Sequence, residues 1–138
     1  MRRTSVAMQI ERKHLSEIIS HAREEAPREA CGILAGRDGR VLRLYRARNA
    51  DLSPTSYRLE PEQQYRILQD IEDRGLEVVA VYHSHPSSPP TPSDKDISRA
   101  YDTDVSYLVV SLIDPLEPQV RAFRFSEDGA VEEDMAVI

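Results

Sequence analysis

Between residues 11 and 25 apolar side chains recur at Leu15, Ile18, Ile19 and Ala22, a helical spacing that lays one apolar stripe along a charged segment. Pro27 ends that helix, and Ser5 to Ile10 ahead of it predicts a short first strand. Ala30 to Ala35 is small and apolar at every position, the pattern of a strand covered on both faces. Arg37-Asp38-Gly39-Arg40 reads as a turn into a hairpin partner. There Val41, Arg43, Tyr45 and Ala47 alternate with Leu42, Leu44, Arg46 and Arg48, which predicts one partly exposed face. Asn49 to Thr55 is a loop, with a short extended piece at Tyr57 to Leu59.

Pro61 suits the first turn of a second helix, striped by Tyr65, Leu68 and Ile71 with Ile67 and ended by Gly75. Val78 to Tyr82 is strongly β-prone and predicts another central strand. Four prolines from Pro86 to Pro92 forbid regular structure, after which Ser93 to Ala100 predicts a short helix. Ser106 to Leu112 and Gln119 to Phe125 read as strands, and Asp128-Gly129 turns the chain into a last one. Several of these strands are joined by turns too short for a parallel crossover. The expected fold is therefore a single α/β domain over residues 1–138, with a mixed or antiparallel sheet.

Composition narrows the picture. A chain of 138 residues suits one domain with a proper core. Cys31 is the single cysteine, which excludes an intrachain disulfide and every multi-cysteine zinc ribbon and suggests a reducing cytoplasm. No apolar run approaches the roughly 20 residues that span a bilayer. A net charge of −6 argues against nucleic acid or an anionic membrane surface as the main partner.

The chemistry concentrates in Val81-Tyr82-His83-Ser84-His85-Pro86, continuing to Ser93-Asp94-Lys95-Asp96. Side chains two apart on a strand share one face, so His83 and His85 can converge on one ion while Ser84 points away. The alternative is two polar residues in a surface loop, or a core histidine. Asp96 is the natural third ligand, although Ser93-x-x-Asp96 also resembles a capping box with Ser93 as N-cap. The expectation here is that a metal-bound carboxylate does not also serve a backbone amide. Two imidazoles and a carboxylate leave one tetrahedral position open, which marks a catalytic rather than a structural zinc site.

Glu29, followed by His83-Ser84-His85-Pro86, six residues, Ser93, two residues and Asp96, resembles the JAMM (MPN+) metalloprotease motif. Pro27 to Gly36 looks like the strand that presents the family's catalytic glutamate, and the resemblance runs from the first helix to the C-terminus. It implies the family's α/β sandwich, a mixed β-sheet with flanking helices related to cytidine deaminases. It also implies one Zn2+ per chain held by His83, His85 and Asp96. Glu29 becomes general base and then general acid, and Ser93 donates to the developing oxyanion. Within the family, the short chain and Asn49 to Leu59 are most similar to bacterial peptidases that act on sulfur-carrier adducts, of the cysteine-releasing mycobacterial type. The implied partner is a small β-grasp, ubiquitin-like sulfur carrier ending in Gly-Gly, and a homodimer is compatible with this reading. A ubiquitin isopeptidase and a noncatalytic MPN scaffold are the rivals.

Other residues carry blander expectations. Without the motif Glu29 would be a solvated loop carboxylate. Cys31, flanked by Ala30 and Gly32, reads as a small buried residue rather than a nucleophile. His14 and His21 lie on a charged helix and are expected to be solvated. Tyr57 and Arg58 are split between lining the substrate groove and an edge-strand role. A cytidine deaminase would need Pro-Cys-x-x-Cys, which one cysteine excludes.

Overall fold

Hydrophobic periodicity sets which face of each element is buried, and the elements follow from it in the computed structural model, which describes residues 8–99, 104–127 and 129–138. In chain order they are β1 (Met8–Ile10), α1 (Arg12–Glu25), β2 (Cys31–Arg37), β3 (Arg40–Ala47), α2 (Pro61–Asp73) and β4 (Glu77–His85). There follow α3 (Asp94–Arg99), β5 (Ser106–Ser111), β6 (Gln119–Ser126), β7 (Gly129–Glu133) and β8 (Met135–Val137). Residues 5–7 of the expected first strand, Ala100 of the expected third helix and Asp128 of the expected last turn lie outside the described residues.

The strands form one mixed sheet in the order β7-β6-β5-β4-β2-β3-β1-β8. β2 is antiparallel to both β3 and β4, whereas β4 and β5 run parallel. β7 and β8 are the two ends of that order, yet Asp134 alone separates them in the chain. Two residues apart in sequence, Glu133 and Met135 span at most about 7 Å, while a flat eight-stranded sheet would hold its edges roughly 33 Å apart. The sheet therefore curls until its edges meet, and the last segment is two strands where one was expected.

Inside the curl lies α1. Its Ile18 and Ala22 are buried, and Leu15 and Ile19 pack beside them against Met8, Ile10, Leu34, Val41, Ala80, Tyr82, Leu108 and Val110. Fully burying such a side chain is worth about 1.5–3 kcal/mol. Arg46 of β3 fastens the polar flank of the helix through Glu17 (2.6 Å) and Glu24 (2.8 Å). The opposite face of the sheet carries α2 over Cys31, Ile33 and Ala35, and beside it Ile97 of α3 on a cluster of Val105, Tyr107, Val109, Phe123 and Phe125.

Two bulges set which side chains face α1. The β2–β3 register shifts between Ala35 and Gly36, so Ala35 pairs with Arg43 and Gly36 with Val41. This breaks the simple alternation expected of the hairpin: Val41 and Leu44 face α1, whereas Tyr45 and Ala47 face α2. The bulge needs glycine at position 36, because a Cβ there would sit 1.7 Å from the Arg40 carbonyl oxygen. A second shift, between Leu34 and Ala35 on the β4 side, turns both Val79 and Ala80 toward α1. The stripe of α2 also differs from expectation. Ile67 and Ile71 are its buried residues, while Tyr65 (67% exposed) and Leu68 (41%) face outward. Among the described residues, no helix is long and apolar enough to cross a membrane.

Candidate active site

The β2–β4 register builds the site. Cys31 is opposite His83, and continuing that antiparallel register puts Ala30 opposite Ser84 and Glu29 opposite His85. Alternation then places Glu29, Cys31, His83 and His85 on the α2/α3 face, and Ala30, Tyr82 and Ser84 on the α1 face. The proline loop returns the chain so that α3 brings Asp96 over the two imidazoles. Ser111 holds that loop by donating from Oγ to the Ser88 carbonyl at 2.5 Å.

The resulting geometry is tight. His83 Nε2 lies 3.1 Å from His85 Nε2, and Asp96 Oδ2 lies 3.0 and 3.1 Å from the two nitrogens. All three residues are buried. Tetrahedral ligands with bonds near 2.0–2.1 Å stand about 3.3 Å apart, so this donor set is already spaced for one zinc ion. His85 Nδ1 lies 2.9 Å from the Pro89 carbonyl, which as an acceptor fixes the proton on Nδ1 and leaves the Nε2 lone pair facing the site. His83 Nδ1 is buried without a partner, and the ring is stacked on Tyr57 at 4.4 Å between centroids.

Ser93 and Asp96 close a reciprocal capping box: Asp96 N donates to Ser93 Oγ at 3.1 Å, and Ser93 N donates to Asp96 Oδ2 at 2.8 Å. The carboxylate that serves the cap is thus the same one that faces both imidazoles. A carboxylate oxygen carries more than one lone pair, and Oδ2 accepts the amide while facing both imidazoles. Burial works against the charge on Asp96, but the imidazoles of His83 and His85 and the Ser93 amide outweigh it and hold the carboxyl far below its usual range. Burial lowers His83. It also opposes protonation of His85, but Asp96 and the Pro89 carbonyl hold that group above its ordinary value.

Glu29 is 3% exposed, and its Oε1 is buried with no hydrogen-bond partner. Desolvation pushes its pKa up to about 8, against the pull of His85, Lys95 and Arg99. It is no solvated loop carboxylate. Its backbone is fixed on both sides, with N donating to the Ser53 carbonyl (2.8 Å) and O accepting from Asn49 Nδ2 (3.1 Å).

Asn49 was not singled out by sequence reasoning. It is buried, donates also to the Ser56 carbonyl, and accepts from the Asp51 and Arg58 amides, so all four of its hydrogen-bonding positions are used. Its signal was an asparagine just past a strand end, two residues before Asp51, the pattern of an Asx turn.

Tyr57 and Arg58 line a cavity of about 280 Å³ with Leu59, Gln64, Val81, Arg99 and Tyr107. Asp51 bridges the two guanidiniums, 3.4 Å from Arg58 and 3.0 Å from Arg99. Of the edge-strand alternative there remains a single bridge between Asn49 and Leu59. Cys31 is fully buried and its thiol is pushed up to about 12 by burial, as an inert core residue should be. His21 corrects an expectation. It is 4% exposed, sits three residues after Ile18 on the buried stripe, and meets the Tyr82 hydroxyl at 2.7 Å. His14 is half-buried rather than solvated.

Comparison with known proteins places these features. Residues 11–126 match the family model described as prokaryotic homologs of the JAB domain. Over 126 residues the chain is 36% identical to the CysO-cysteine peptidase of Mycobacterium tuberculosis, covering 90% of this chain and 86% of that one. It is 34% identical over 110 residues to the desampylase of Pyrococcus furiosus, covering 80% and 76%. Among solved structures, a protein of Desulfitobacterium hafniense matches with a TM-score of 0.87 at 36% identity, over 95% of this chain and 92% of that one.

Proposed function

This chain belongs to the family of prokaryotic homologs of the JAB domain, and from that premise we propose that it is a zinc-dependent peptidase. Its substrate is the amide or isopeptide bond after the C-terminal Gly-Gly of a small ubiquitin-like sulfur carrier. The observation that carries this reading is the convergence of His83, His85 and Asp96 to 3.0–3.1 Å, with the buried, unpaired carboxylate of Glu29 on the same face of the sheet. Relatives named for cleaving carrier conjugates support the substrate class.

In this reading His83, His85 and Asp96 are the zinc ligands. Zinc there supplies Lewis acidity, polarising a carbonyl and lowering the pKa of water toward about 7. Glu29 accepts the proton of the attacking water and returns it to the leaving amine. Burial raises its pKa above the usual carboxylate range, which makes it a stronger base than an exposed glutamate. The hydroxyl of Ser93 accepts the Asp96 amide with its lone pair, which leaves its proton for an oxyanion. The four prolines between the ligands stiffen one wall of the cleft, and a narrow cleft favours glycine, which brings the substrate backbone close at little steric cost. Binding energy from the folded carrier then positions the bond, so free peptides are poor substrates. The lone, buried Cys31 supports a reducing compartment such as the cytoplasm.

Three substrates at equal concentration test this: a carrier–Gly-Gly–cysteine adduct, lysine-linked di-ubiquitin and an unrelated tetrapeptide. The adduct should be cleaved preferentially. Preference for di-ubiquitin overturns the carrier assignment while keeping the peptidase, and inactivity on all three with zinc bound favours a noncatalytic scaffold.

A further inference from the structure

Ser84 stands between the two histidines yet points to the opposite face of the sheet. It is fully buried. Opposed residues of an antiparallel pair at this kind of position exchange two backbone hydrogen bonds. Here one is made as expected, with Ser84 N donating to the Ala30 carbonyl at 3.0 Å. The other is replaced: Ala30 N donates at 2.7 Å to the Ser84 hydroxyl oxygen. The hydroxyl thus stands in for the strand's own carbonyl at the last rung before β2 parts from β4. A buried amide left without that acceptor would cost about 1–3 kcal/mol.

The next residue out is Glu29. Its own amide and carbonyl are taken by Ser53 and Asn49, both on the Asn49–Leu59 side, and its Oε1 has no partner to hold it. Ala30 is therefore the link that ties the backbone of Glu29 to the strand bearing His83 and His85. We infer that Ser84 is a positioning residue: its hydroxyl sets the separation between the Glu29 carboxylate and the His83/His85 pair. The inference rests on the proposed roles of those three residues for its catalytic consequence, but not for the tether itself. A misplacement of about 1 Å at such a site costs on the order of 10²-fold in rate.

The test compares Ser84→Ala, Ser84→Cys (similar volume, a weak acceptor) and Ser84→Thr (hydroxyl kept) in the full chain. Hydrogen exchange at the Ala30 amide and crystal structures of the zinc-loaded variants read the tether without reference to activity. Exchange should speed up and Glu29 should shift relative to His83 in the Ala and Cys variants, with Thr close to the parent protein. An unmoved Glu29, or unchanged protection at Ala30, overturns the inference even if the protein proves to be no peptidase. On the carrier adduct, kcat per bound zinc should fall about 10- to 100-fold with KM and zinc affinity unchanged. In a Glu29→Gln background the same Ser84→Ala change should cost nothing further. A weakened zinc affinity, or an equal loss in both backgrounds, would show that Ser84 acts through the histidines instead.

Discussion

Tyr82 and His83 are neighbours on β4 and equally hidden, at 0% and 1% exposure, yet the sheet gives them opposite surroundings. Tyr82 faces α1. Its hydroxyl ends on His21, and its ring fills the space above Gly32, where a Cβ would lie 2.3 Å from it. Burial lowers the pKa of His21, and His21 Nδ1 and the Tyr82 hydroxyl meet each other beside the apolar side chains of Ile18 and Ala22. His83 faces α2 and α3. There Nδ1 has no partner, Nε2 is crowded against His85 and Asp96, and the nearby Glu29 keeps a buried oxygen unpaired. Burial is the same on both sides. What differs is that Tyr82 and His21 have settled on each other, whereas the donor atoms of His83, His85 and Asp96 crowd together beside a Glu29 oxygen that has no partner. Convergence with unmet hydrogen-bonding capacity, rather than burial or a perturbed pKa alone, separates His83, the proposed ligand, from His21.

The largest effect should come from removing the convergence. His83→Ala with His85→Ala should abolish stoichiometric zinc, measured by elemental analysis of purified protein, while Tyr82→Phe should retain it in full. Retention of zinc by the double variant would place the metal elsewhere. Next comes Glu29→Gln, which keeps shape and burial but cannot accept a proton. Hydrolysis of the carrier adduct should fall by about 10²–10⁴-fold with zinc still bound. Turnover near the parent value would remove Glu29 from the chemistry.

Ser93→Ala probes a residue whose hydroxyl caps α3 and for which an oxyanion role is proposed. Losing one oxyanion donor should slow turnover about 10²–10³-fold, and losing the cap should cost about 1 kcal/mol in denaturant unfolding. A stability loss with unchanged turnover would make Ser93 purely architectural.

These two faces were unequally legible in the sequence. His83, His85, Ser93 and Asp96 fall within fourteen consecutive residues, so a strand end and one loop suffice to bring them together. Glu29 is joined to them only through the β2–β4 register, which no local pattern encodes, and it was readable through the motif alone. The pairing of His21 with Tyr82 spans 61 positions. The acidic neighbours Glu17, Glu24 and Glu25 hid the fact that His21 shares the stripe of Ile18. The two bulges and the curl that brings β7 to β8 stayed invisible for the same reason. They arise from close backbone approach, as at Gly36, and from pairings between distant strands, whereas periodicity reports only which side of one element is apolar.

The smallest effect is the most direct comparison of the two faces, because the same kind of change should have opposite signs. Tyr82→Phe strands the buried His21 Nδ1 and should destabilise the fold by about 1–3 kcal/mol without altering turnover. Glu29→Gln in zinc-free protein should do the reverse, in a pH-dependent way. The native pKa of Glu29 is raised from 4.5 to about 8. Below pH 4.5 the group is protonated in both folded and unfolded chains and favours neither. Between 4.5 and 8 the folded chain holds a proton that the unfolded chain has released, so stability falls as pH rises; above 8 the loss is complete. Glutamine does not titrate. The variant should therefore match the parent protein near pH 4 and gain on it steadily between pH 4.5 and 8, by at most about 1.4 kcal/mol per pH unit, in urea unfolding. A difference that stays flat across that window would mean that Glu29 ionises in the folded protein as it does in the unfolded chain.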